Sequence, residues 1–189
     1  MGPLKKIPAS GVPKGIGAEG KIVDAARWED SNGDNFIVFS KWSAPGKHGA
    51  GFSDDADTVS AHLEAVHAVA SAGATRNLRT LKDKEQNCDA DLRASFLDAA
   101  LSLTDLDHDG IGEITFGYVL NCATDMSSAV LKLVMLEDGA RYILRGQTRV
   151  HVGGGEMMGG NHQVDAAFGN APPSFLEHAK AQWLKVRNH

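Results

Sequence analysis

Four carboxylates crowd one short stretch of the chain, Asp105-Leu106-Asp107-His108-Asp109-Gly110-Ile111-Gly112-Glu113. Three aspartates fall at alternate positions, a glycine follows the third, and a glutamate comes three residues after that glycine. Hard divalent cations need clustered anionic oxygens, and calcium takes about six to eight of them. Alternate residues in a curled loop turn their side chains toward one point, and Gly110 permits a sharp turn that a Cβ would resist. Asp105, Asp107, Asp109 and Glu113 are therefore candidate side-chain ligands for Ca2+, with the carbonyl of Ile111 as a fifth. Mg2+ fits less well, because it demands octahedral geometry and keeps its waters. The competing reading is an acidic turn with no ion, since Asp and Gly are ordinary turn residues. Mutual repulsion of four close carboxylates favours the cation. The spacing follows an EF-hand over nine positions, but Phe116 stands where the closing bidentate Glu belongs.

The elements around the loop must position these groups. After the loop, Ile114, Phe116, Tyr118 and Leu120 alternate with Thr115, Gly117 and Val119, the period of a strand rather than a helix. Leu101–Thr104 predicts a strand before the loop, with 91–100 either one helical turn or a loop. Val130–Leu136, an Asp-Gly turn and Arg141–Leu144 continue a β-meander. Upstream, 21–28 and 35–42 read as the arms of a hairpin about Asn32-Gly33. Asp30, Asn32 and Asp34 alternate there like the start of a second calcium loop, but no later carboxylate completes it, so a plain turn is the preferred reading. Residues 43–60 read as a long polar loop whose Asp54, Asp55 and Asp57 are solvated surface. The stretch His62–Val69 fits a helix by its alanines and a strand by alternation, with a strand preferred. His62 and His67 are poorly spaced for a shared metal. Leu78–Asp83 reads as a short strand.

Two glycine-rich stretches carry no nucleotide site. Gly15–Gly20 matches GxGxxG but lacks the preceding strand and following helix. Residues 151–162 fail that pattern and read as a flexible surface loop; Met157 and Met158 there are either an adaptable contact or core-facing. Pro172-Pro173-Ser174 opens a C-terminal helix to about Val186, with Ser174 as N-cap and Leu176, Ala179 or Lys180, Trp183 and Leu184 as the packing stripe. The expected fold is α+β, mostly antiparallel β with a C-terminal helix. It comprises a flexible leader over 1–20 and one domain over 21–189.

At 42% hydrophobic residues and a net charge of −5, the chain has an ordinary globular composition. Its lysines and arginines form no basic stripe, which argues against nucleic acid, and no run is apolar enough for a membrane span. Met1–Pro8 has two lysines without an apolar run behind them. It does not read as a signal peptide, leaving either a processed or trimmed chain or a cytosolic one. No GxSxG elbow and no HExxH is present, so no catalytic residue is assigned.

The stretch from Leu103 to Tyr118 resembles the calcium loop of FG-GAP (integrin-type) repeats. It is more similar still to exported bacterial proteins labelled surface polysaccharide biosynthesis proteins. Asn121-Cys122 with Asp125-Met126-Ser127, Leu131-Lys132-Leu133 and Tyr142–Gly146 extend the match. The resemblance implies a periplasmic or extracellular protein of the cell envelope, with a cell-envelope protein or polysaccharide as partner. It also favours a disulfide between Cys88 and Cys122 over two buried thiols. Three functions follow as expectations. The first is a binding module with a structural Ca2+. The second is a periplasmic inhibitor or immunity protein of a cell-wall hydrolase, inserting a loop such as 151–162. The third is an enzyme acting on surface polysaccharide.

Overall fold

The computed structural model describes residues 1–46, 58–71, 73–124 and 127–189. Asp54, Asp55 and Asp57, and the turn residues Asp125 and Met126, lie outside the described residues. Twelve strands run in chain order: β1 (Lys5–Lys6), β2 (Lys21–Asp30), β3 (Gly33–Pro45), β4 (Val59–Ser71), β5 (Ala74–Cys88), β6 (Asp91–Thr104), β7 (Glu113–Ala123), β8 (Val130–Glu137), β9 (Ala140–Gln147), β10 (Val150–Gly153), β11 (Glu156–Met158) and β12 (His162–Val164). Among the described residues one α-helix, α1 (Pro173–Val186), follows a short 3-10 turn at Ala166–Asn170. The α+β expectation with a C-terminal helix is met.

Two antiparallel meanders form the body. One sheet has the order β1-β2-β3-β4-β5, the other β12-β9-β8-β7-β6. They face each other across a core in which Trp28, Ile37, Phe39 and Leu63 of the first sheet meet Ile114, Phe116, Leu120 and Val134 of the second. Each contributing strand places every second residue inward, which is what its sequence period dictates. The outer face of the second sheet is also apolar. Leu131, Leu133, Met135 and Leu144 there bury against Phe175, Ala179, Trp183 and Val186 of α1.

The helix packs through 175, 179, 183 and 186, one turn-spaced row, so Leu184, expected in the stripe, is 55% exposed. Ser174 is not the N-cap. Pro172 holds that place without a side-chain cap, and the hydroxyl of Ser174, the second helical residue, donates to the carbonyl of Leu106 at 3.4 Å.

The first twenty residues differ from the expected flexible leader. Lys5 and Lys6 pair with Arg27 and Ala26, and the N–H of Ile7 donates to the carbonyl of Ala25 at 2.9 Å. Ile16 buries against Ala25, Phe36, Val38, Val66 and Ala68, with Ile7 and Val12 beside it. The outer face of the first sheet is apolar, and the leader's few large side chains complete a third core layer on it.

Residues 91–100 and the glycine-rich loop differ from expectation, whereas His62–Val69 and the cysteine pair meet it. Residues 91–100 are strand: β6 runs unbroken through Asp91–Thr104, with a register irregularity between Leu97 and Ser102. His62–Val69 is strand, inside β4, where small alanines fit between neighbouring layers and override helix propensity. The glycine-rich loop is a hairpin, β10 paired to β11, turning on Gly154 and Gly155 at φ +58° and +82°. Cys88 and Cys122 are joined in a disulfide with Cα atoms 5.6 Å apart, tying the end of β5 to β7 across the two sheets. Among the described residues no helix is long and apolar enough to cross a membrane.

Candidate metal centre

The acidic loop joins β6 to β7 at one end of the sandwich. Its shape follows from local hydrogen bonding. The Asp107 carboxylate accepts from the N–H of Asp109 at 3.4 Å, and Asp109 accepts from the N–H of Ile111 at 2.7 Å. These side-chain turns are what Asp favours, and they wrap the backbone around the carboxylates. His108 and Gly110 are left-handed, φ +63° and +86°. A Cβ on Gly110 would also lie 2.6 Å from the Ser31 hydroxyl. The His108 side chain is exposed.

Oxygens of Asp105, Asp107 and Asp109 come within 4.8 Å of one another. Glu113, with no exposed surface, opens β7 and accepts the N–H of Leu106 through both oxygens, at 3.0 and 3.1 Å. Burial raises its pKa; the Leu106 N–H opposes that rise. Ile111 sits on the inner turn of the loop, half-buried, with its N–H held by Asp109. The structure thus gathers the predicted carboxylates but splits them into two groups sharing Asp107, because Glu113 groups with Asp107 and a residue not anticipated, Glu137.

Glu137 ends β8 and read in sequence only as part of an Asp-Gly turn. The signal lay in the register. Ile114 pairs with Leu136, so the next residues outward, Glu113 and Glu137, stand side by side, a like-charge arrangement that sheets avoid. Burial, then the charges of Asp107, Glu113, Asp109 and Asp138, push the Glu137 carboxyl up to about 7. Asp105 Oδ1 and Glu137 Oε1 are buried and without a hydrogen-bond partner among the described residues. Unsatisfied buried carboxylate oxygens are costly, and a cation bound among them would satisfy several at once.

The β2–β3 hairpin braces this loop. Asp30 accepts from Trp28 Nε1 at 2.9 Å and from the N–H of Gly112 at 3.0 Å through one oxygen. Its other oxygen accepts from the N–H of Asn32 at 2.8 Å and from Asn35 Nδ2 at 2.7 Å. Ser31 N–H donates to the carbonyl of Gly110 at 3.0 Å. Asn32 Nδ2 reaches Asp138 at 3.3 Å, and Asp34 pairs with Arg27 at 2.9 Å. Of the three residues that alternate like a second calcium loop, Asp30 thus supports the first, while Asn32 reaches the β8–β9 turn and Asp34 pairs within its own hairpin.

No protein-family model, curated protein or solved structure matches this chain.

Proposed function

We propose that the loop is a Ca2+ site and that the protein is a calcium-stabilised binding module of the cell envelope, held in the periplasm or outside the cell. The observation that carries the metal reading is the convergence of Asp105, Asp107, Asp109, Glu113 and Glu137 with two buried, unpartnered oxygens among them. An all-oxygen, irregular, flexible donor set suits Ca2+ better than Mg2+. The ion's role is structural. It neutralises one end of the sandwich and joins the β6–β7 loop to the end of β8, and the same loop receives Ser174 of α1. Support for an oxidising compartment comes from the Cys88–Cys122 bridge. The envelope partner, protein or polysaccharide, remains the implication of the family resemblance.

The test is thermal unfolding with Ca2+ and with EGTA, for the wild type and Asp109→Ala. A ligand that binds only the folded state stabilises it by about 2.7 kcal/mol at one hundred times its Kd. The wild type should gain several degrees in millimolar Ca2+ and the variant should not. Equal curves for the wild type in Ca2+ and EGTA would sink the metal reading.

One observation favours the inhibitor reading of the same module. The β10–β11 hairpin leaves Val152 and Met158 about half exposed, at 51% and 50%, and its tip carries two consecutive glycines in left-handed conformation. A stoichiometric complex with a cell-wall hydrolase, lost on Met158→Asp, would support that reading.

A further inference from the structure

A second feature lies at the other end of the sandwich. β6 enters there at Asp91 and reaches the acidic loop only after Thr104. A cleft of about 290 Å3 is lined by Lys21, Lys41, Trp42, Ser43, Ala61 and His62 from the first sheet and by Leu92 and Ala94 from the second. Lys41 continues the inward row of Ile37 and Phe39, and its cross-strand partner Leu63 is also inward. Lys21 is the direct partner of Lys41 on β2. Two exposed lysines therefore line one cleft in register, and like charges directly opposite destabilise a sheet. Among the described residues neither lysine has an ion pair and no carboxylate lines the cleft. The walls are fixed: Leu92 is the register partner of Cys122, whose disulfide joins the second sheet to the first. A preformed cleft loses little entropy on binding.

We propose that this cleft binds a small organic carboxylate, with the anion between Lys21 and Lys41 and its body against Ala61, Leu92 and Ala94. The volume stands at the lower limit of ligand pockets, roughly 300 Å3, so a single-ring acid is the fitting size. The ring could come from an aromatic acid or from a sugar acid, and both share the carboxylate. Trp42 supplies a reporter. It stacks on His62 at 4.8 Å, 8° from parallel, in the register pair next to Lys41 and Leu63, whereas Trp28 and Trp183 are buried far into the core layers.

The experiment is titration of the full chain with benzoate, with glucuronate and with neutral benzyl alcohol, read by tryptophan fluorescence and amide chemical shifts. It is repeated on Lys21→Gln and Lys41→Gln. A saturable response to at least one acid and none to benzyl alcohol is expected. Binding should be about tenfold weaker in each variant, with thermal unfolding no lower than in the wild type, since each change removes a like-charge neighbour. Benzoate alone responding assigns an aromatic acid, and glucuronate alone a sugar acid. No saturable response to either acid, a response to benzyl alcohol equal to that of benzoate, or unchanged affinity in both variants would overturn the proposal. It would leave the lysines as side chains that cover the core edge with their stems.

Discussion

Two residues, His67 and Glu137, have proton affinities shifted well away from their usual values. His67 is 1% exposed. Its Nε2 lies 3.1 Å from Asn35 Oδ1, and Trp28 packs on its ring at 5.2 Å. Burial, opposed by the charge of Asp30, lowers its pKa to about 4. A histidine depressed in the folded state binds fewer protons there than when unfolded, so stability falls as pH drops from 6.5 toward 4 and is fully present above 6.5. The loss should approach about 3 kcal/mol, and urea midpoints measured across that window should show it, while His67→Gln should flatten the curve. Glu137 is the second such residue. Removing its charge relieves repulsion without the ion and removes a ligand with it. Glu137→Gln should therefore raise the unfolding temperature in EGTA and shrink the gain from added Ca2+. A Ca2+ gain equal to that of the wild type would place Glu137 outside the coordination sphere.

At the scale of elements, α1 covers the outer face of the second sheet, and its anchor is Trp183, 1% exposed and donating through Nε1 to the carbonyl of Gly160 at 2.9 Å. Trp183→Ala leaves a large void and should cost about 3–5 kcal/mol, measured by denaturant unfolding, whereas Leu184→Ala on the opposite face should change stability by less than about 0.5 kcal/mol. The acidic loop depends on the β2–β3 turn for its shape. Asp30→Ala leaves the N–H of Gly112 and the Trp28 indole without their acceptor. Calorimetric titration should then show weaker Ca2+ binding even though Asp30 is no ligand. Undiminished affinity would separate the turn from the site. These contacts were not legible in sequence, because the partners lie 82 residues apart at Asp30 and Gly112. The alternation of Ile114–Leu120 and the Asn32-Gly33 turn were legible, because each depends on neighbours a few positions away.

For the whole molecule, the acidic loop and the disulfide hold opposite ends. Glu113 and Cys122 are separated by nearly the full length of β7, roughly 30 Å at the rise of an extended strand. The bridge closes a separation of 34 residues, and the chain-entropy model gives it about 4 kcal/mol. Cys88→Ser with Cys122→Ser should lose about that much, and EGTA should lower stability by the same amount in the double variant as in the wild type, since distant sites add. Strong non-additivity would mean the two ends communicate through the sheets. The sequence by itself determined the strand periods, the C-terminal helix and the three-aspartate turn, because each is a local pattern of polarity or side-chain-to-backbone bonding. Only the tertiary structure decided that Glu137 joins the acidic group, that the leader covers a sheet, and that Lys21 meets Lys41 over Leu92. Those juxtapositions arise from strand register and layer packing, which bring together residues that no short-range rule relates.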